Sequence, residues 1–162
     1  MSPDPVLTIP SGRLRGRLAD GIASFKGVPF AAPPVGALRF RSPQPVVPWS
    51  GLRDALVPGP SSIQVLDPRS AWIYEDDGGP DEDCLSLNIW TAIPIGKRPV
   101  LVWFHGGAFQ TGHGGLAAFD GTTLAREQGV VVVTCNYRLG PLGWLAHPAL
   151  RDPETGHWAN WG

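Results

Sequence analysis

The 162-residue sequence is poor in the features that mark a secreted scaffold, a membrane span or a polyanion binder. Its two cysteines, Cys84 and Cys135, are too few for a disulfide framework. The longest apolar runs, "PVLVWF" (99–104) and "VVVVTC" (130–135), fall far short of a membrane span. Only Lys26 and Lys97 are lysine, and 13 basic against 14 acidic residues leave a formal charge of −1 with no basic block. That balance excludes nucleic acid and anionic membrane surfaces as expected partners. The opening "MSPDPVLTIP" has neither a basic stretch nor an apolar core, so it does not read as a secretory signal, and a cytoplasmic location is expected. The four histidines show no H-x-x-x-H spacing, and neither a metal nor a cofactor is expected.

Glycine and proline, 21 and 18 residues, are abundant but interleaved with Trp, Phe and Val and free of any period. This favours a loop-rich globular chain over a low-complexity one. Residues 5–28 alternate around Gly12, Gly16 and Gly21, which predicts a meander of short antiparallel strands. Proline and glycine dominate 29–62 and block regular ladders, which predicts an ordered, irregular wrap. Residues 63–83 end in an acidic, solvated loop with a turn expected at Gly78-Gly79.

Regular structure then returns. "LSLNIW" (85–90) alternates as a strand, and "PVLVWFH" (99–105) reads as a strand buried on both faces. A Gly-rich loop leads to a short helix, "TTLAREQ" (122–128), with Thr122 as expected N-cap and Gly129 as stop. "VVVVTCNYR" (130–138) follows as a second buried strand. Strand, loop, helix and strand make one βαβ unit with parallel pairing and a right-handed crossover. The fold class is α/β, with antiparallel N-terminal strands leading into an unfinished, mostly parallel sheet. Its last parallel strand should keep an open apolar edge and make the chain prone to aggregate.

Three chemistries compete for the loop after the first buried strand. A phosphate loop needs Lys and Ser/Thr where His113 and Gly114 stand. "GHGGLA" (112–117) fits a dinucleotide fingerprint in letters, but it lies seven residues past the strand end, and no acidic residue closes the next strand. An oxyanion hole fits better. Acyl transfer puts negative charge on a carbonyl oxygen, and fixed backbone N–H donors at that point are worth about 3–4 kcal/mol each. "HGG" after a strand ending in aromatics is the esterase and lipase form of such a loop.

Five segments then converge: "FKGVPFAAPPVGALRF" (25–40), "PWSGLRDA" (48–55), "EDCLSLNIW" (82–90), "PVLVWFHGGAFQTG" (99–112) and "VVVVTCNYRLGPLGWL" (130–145). In order and spacing the chain resembles the N-terminal third of a type B carboxylesterase, in the α/β-hydrolase family that includes bacterial para-nitrobenzyl esterases and cholinesterases. The resemblance runs from about residue 8 to the end and makes residues 1–162 the front part of one such domain. It implies that Gly107 and Ala108 supply two oxyanion-hole amides, with Gly106 giving room to turn. The alanine where many members carry a third glycine changes no donor. His105 reads as an orienting residue of the loop rather than a proton carrier.

The family's nucleophile sits in a G-x-S-x-G elbow, and none of the nine serines here is so flanked. By the same resemblance the elbow, acid and base lie beyond Gly162, so residues 1–162 alone are expected not to hydrolyse esters. The substrate of the whole protein would be a small-molecule ester. Arg39 and Glu82 resemble the family's ion pair, and Arg138 resembles a residue whose acidic partner lies beyond Gly162. Cys84 matches a family cysteine whose disulfide partner site is here Ser62. Trp72 reads as packing or surface rather than as a gorge aromatic. Two other readings stay open: a non-catalytic adhesion-type relative, or a remnant that pairs with a second chain.

Overall fold

A computed structural model describes residues 3–66 and 79–162. Trp72 and Gly78 lie outside the described residues; Gly79, at φ +84°, lies within them. In chain order the strands are β1 (Val6–Ile9), β2 (Gly12–Arg15), β3 (Arg17–Ala19), β4 (Ile22–Pro29), β5 (Leu52–Asp54), β6 (Ser61–Ser62), β7 (Pro80–Asp81), β8 (Ser86–Ala92), β9 (Val100–Phe104) and β10 (Val131–Cys135). Helix α1 spans Thr122–Gln128 and α2 spans Gly140–Trp144, with single 3-10 turns at Gly36–Leu38, Ala117–Phe119 and Pro148–Leu150.

The alternation that makes 5–28 a meander is real, but its strands divide between two sheets. β1 and β2 form an antiparallel hairpin joined in parallel by β5. β3 and β4 enter the main sheet, whose order is β3-β4-β8-β10-β9. Period-two alternation then assigns the faces. Ala23 and Phe25 of β4, with Leu87 and Ile89 of β8, pack under the small sheet against Leu14 and Ala55. Ile22 and Trp90, from the opposite phase, meet Val132 and the buried Ala125 of α1. Full burial of a side chain such as Phe25 stabilises the fold by about 1.5–3 kcal/mol. A bulge between Phe25 and Val28 keeps β4 in phase with β8. It turns on Gly27, at φ +66°, where a Cβ would come within 2.7 Å of the Val57 carbonyl.

Four expectations are corrected. The described sheet is mixed: β9 and β10 are its one parallel pair, and the remaining neighbours run antiparallel. β10 lies inside the sheet between β8 and β9, so the open edge belongs to β9 and not to the later strand. β9 is also not buried on both faces, for all five residues from Val100 to Phe104 are exposed, Phe104 at 67%. An apolar run records a preference for burial; it does not supply the covering element. At α1 the N-cap is Gly121 rather than Thr122, which already has helical position. The Asp120 carboxylate accepts the Thr122 N–H at 2.9 Å and does the capping from one residue further out. Gly129 ends the helix in the left-handed conformation, as its position after the last apolar residue predicts.

Candidate functional site

The loop after β9 leaves the carboxyl end of a parallel strand, where open α/β sheets place ligands. A buried polar ladder fixes its far half. Asn88 on β8 donates to Thr134 Oγ1 at 3.1 Å, and Thr134 donates to the Gly114 carbonyl at 2.6 Å. Asn136 accepts the Gly114 N–H at 2.7 Å and donates to the Pro60 carbonyl at 2.9 Å. Gly114 can sit there because a Cβ would meet Cys135 backbone at 2.8 Å.

The near half is a sharp turn. Gly107 has φ +123°, and Ala108 and Phe109 follow at +53° and +62°. Two successive non-glycine residues in that region cost about 1–3 kcal/mol each and persist only where surrounding contacts hold them. Those contacts grip carbonyls. The His105 imidazole bonds the Gly106 carbonyl at 2.8 Å, and a carbonyl partner requires the proton on Nδ1. Gln110 and Thr111 N–H donate to the Gly107 carbonyl at 3.0 and 3.1 Å. Gly140, at the head of α2, donates to the Phe109 carbonyl at 2.7 Å.

A trans peptide unit is planar, with its N–H directed opposite its C=O. Holding the Gly106 carbonyl on His105 therefore aims the Gly107 N–H away from the imidazole. Holding the Gly107 carbonyl on the 110–111 turn likewise aims the Ala108 N–H outward. Among the described residues no acceptor takes either N–H, and Gly106, Gly107 and Ala108 are all exposed. Gly106 is not in the left-handed region, and a Cβ on it would meet nothing within 4 Å. The room to turn expected of Gly106 is instead supplied at Gly107.

His105 itself is buried, stacks on Tyr137 with centroids 4.4 Å apart, and has its carbonyl held by the Tyr137 hydroxyl at 2.7 Å. Burial pushes its pKa below the usual histidine value, with the Gly106 bond opposing, so the ring is neutral at pH 7. His113 and His147 also engage main chain, at Gly59 and Ala149. Among the described residues no cluster of His, Cys, Asp and Glu could hold a metal ion, and no helix is long and apolar enough to cross a membrane.

Ala108 opens onto a cleft of about 650 Å³. Its lining includes Phe109 and Trp144, in tilted contact at 4.1 Å, with Leu145, Ile63 and Val65. No charged side chain lines it among the described residues. The surroundings suit an uncharged apolar group beside two outward amides.

Nearby, Arg39 and Glu82 form a two-pronged pair at 2.7 and 2.5 Å, and the guanidinium holds the Glu82 carboxyl below its usual range. The pair positions the wrap before β8. Arg138 is 3% exposed and donates to the Arg41 carbonyl at 3.0 Å. Its Nε and Nη2 are buried without a hydrogen-bond partner among the described residues. Both cysteines are free and buried. Burial pushes the Cys84 thiol up to about 11, with a Ser62 hydrogen bond opposing, and raises Cys135 too. An unfolded thiol ionises near about 8.5 and then binds fewer protons than the folded one. Stability from Cys84 is therefore complete below that pH and is lost as pH rises toward 11. At pH 8 the folded protein should resist a disulfide reagent for minutes, while urea exposes two reactive thiols. Rapid native labelling would contradict this burial.

Sequence reasoning singled out Gly106, Gly107, Ala108 and His105 but missed Tyr137 and Gln64. The Gln64 side chain bonds both main-chain groups of Gly112. Neither residue stands in a spacing that signals its role.

Residues 3–156 match the model of the carboxylesterase family. The chain is 48% identical over 145 residues to a phenmedipham hydrolase of Pseudarthrobacter oxydans, covering 88% of this chain and 29% of that protein. It is 39% identical over 146 residues to the para-nitrobenzyl esterase of Bacillus subtilis (strain 168), covering 86% and 29%. It superposes on the solved structure of a thermophilic PNB esterase with a TM-score of 0.87 at 38% identity, covering 97% of this chain and 32% of that one. The chain thus spans less than a third of the length of these relatives.

Proposed function

The chain belongs to the carboxylesterase family, and from that membership we propose that it supplies the anion-stabilising half of a serine ester hydrolase. The observation that carries the proposal is the pair of peptide planes at 106–108, each gripped by its carbonyl with its N–H outward beside an apolar cleft. When a serine oxygen attacks an ester carbonyl, the carbonyl oxygen becomes an alkoxide. The N–H groups of Gly107 and Ala108 bind that charge. They meet it without reorganising, because His105, Gln110 and Thr111 already hold their peptide units. The attacking serine, its histidine base and the carboxylate that orients the base come from polypeptide outside residues 1–162. A third donor, from the residue after the serine, comes with them. The two free, buried thiols fit a reducing, cytoplasmic setting.

The exposed β9 favours a pairing role alongside this one. A parallel strand added to its free edge would end beside the Gly loop, at the place where a nucleophile must stand. The purified 162-residue chain should release no p-nitrophenol from a short-chain p-nitrophenyl ester, and a polypeptide that joins it to a nucleophile-bearing segment should do so. Turnover by the 162-residue chain alone, blocked by a serine-directed phosphonate, overturns the division of the site.

A further inference from the structure

The Gln64 side chain behaves as one rung of a β-ladder. Its Oε1 accepts the Gly112 N–H at 2.8 Å, and its Nε2 donates to the Gly112 carbonyl at 2.9 Å. The same Nε2 donates to the Ser62 carbonyl at 3.1 Å, which fixes which end of the amide points where. A primary amide offers the donor and acceptor that a neighbouring strand would offer, so one residue replaces a strand.

The backbone it holds lies directly behind the two amides. Gly112 has φ +126°, and a Cβ there would run into His105 Nδ1 and the Gly106 carbonyl, the two ends of the bond that aims the Gly107 N–H. Its chain neighbour Thr111 donates to the Gly107 carbonyl, the bond that aims the Ala108 N–H. A shift at Gly112 therefore reaches both donors. Gln64 is also flanked by Ile63 and Val65, which line the cleft with it.

We propose that Gln64 is a positioning residue for ester hydrolysis, holding the Gly107 and Ala108 amides in register with the cleft wall through its two-pronged bond to Gly112. This rests on the esterase reading above. The alkoxide exists only after attack, so a misplaced amide pair weakens the transition state and leaves ground-state binding nearly untouched. An ordinary loop brace would instead lower stability and leave the kinetic constants in proportion.

The test is made in the complete esterase carrying this segment. Gln64→Met keeps side-chain length and removes both bonds. It should lower kcat by about 10- to 100-fold with KM within about twofold. Affinity for a trifluoromethyl ketone, which forms a tetrahedral adduct, should fall by the same factor as kcat/KM. Val65→Ala, on the wall alone, should move KM more than kcat. Gln64→Glu still accepts from Gly112 and should lose less. Should the Met variant fail to fold, the Glu variant carries the test, with a kcat loss of about threefold or more expected at unchanged KM. Unchanged kcat, or a kcat loss without weaker ketone binding, overturns the role of Gln64 while leaving the esterase reading standing. A wild-type enzyme that hydrolyses no ester overturns both.

Discussion

Replacing Gly107 with alanine should lower kcat of the complete esterase by about 10²- to 10³-fold, because neither way of relieving the strain spares both outward amides. The reason is local and steric. Gly107 holds φ +123°, a conformation that L side chains rarely adopt, and its Cβ would collide with the Thr111 carbonyl. The loop can relieve that contact only by moving Thr111 away, which breaks one of the two bonds that fix the Ala108 peptide and drags on the other. Turning the Gly107 backbone toward an ordinary φ instead rotates its own N–H out of line. Loss of either donor costs about 10²- to 10³-fold in systems where single donors have been removed, and here neither escape spares both. Gly106→Ala is the matched control. Its Cβ meets open space, so the 162-residue chain should keep its thermal midpoint. Steady-state kinetics on both variants, with near-ultraviolet circular dichroism to confirm folding, checks the contrast. A Gly107→Ala enzyme with native kcat would mean that these amides do not hold the developing charge.

The parts legible in the sequence are those whose cause is local. Gly129 after the last apolar residue of α1 fixes a left-handed stop, and the alternation of 85–90 fixes which β8 side chains face which layer. The Gly-rich loop is legible because few chemistries need "HGG" after a strand ending in aromatics. The parts not legible depend on partners distant in the chain. The antiparallel pairing of β10 with β8 requires β9 to lie outside both, and nothing in "VLVWF" says which of two apolar strands takes the edge. The reach of Gln64 across 48 residues to Gly112 has no periodic signature. The polar ladder through Asn88, Thr134 and Asn136 is invisible for the same reason: each residue alone is unremarkable in a strand or at its end.

Arg138→Met should stabilise the 162-residue chain by about 1–3 kcal/mol against urea, followed by tryptophan fluorescence. The residue is almost wholly buried, and one carbonyl, that of Arg41, accepts from it through Nη1. Burial holds its pKa below the usual arginine value, with Cys84 opposing. A guanidinium so placed keeps its desolvation penalty and gets little attraction in return. Methionine fills much of the same volume with no charge to desolvate. The sign should reverse in any polypeptide that brings a carboxylate onto Nε and Nη2. There the same substitution strands a buried anion and should cost about 3–5 kcal/mol. Those two atoms form one side of a fork that matches a carboxylate in two-pronged geometry, so the reversal is a specific expectation. A destabilised 162-residue chain would mean that its own residues already neutralise Arg138, and the case for a counter-ion supplied from elsewhere would fall.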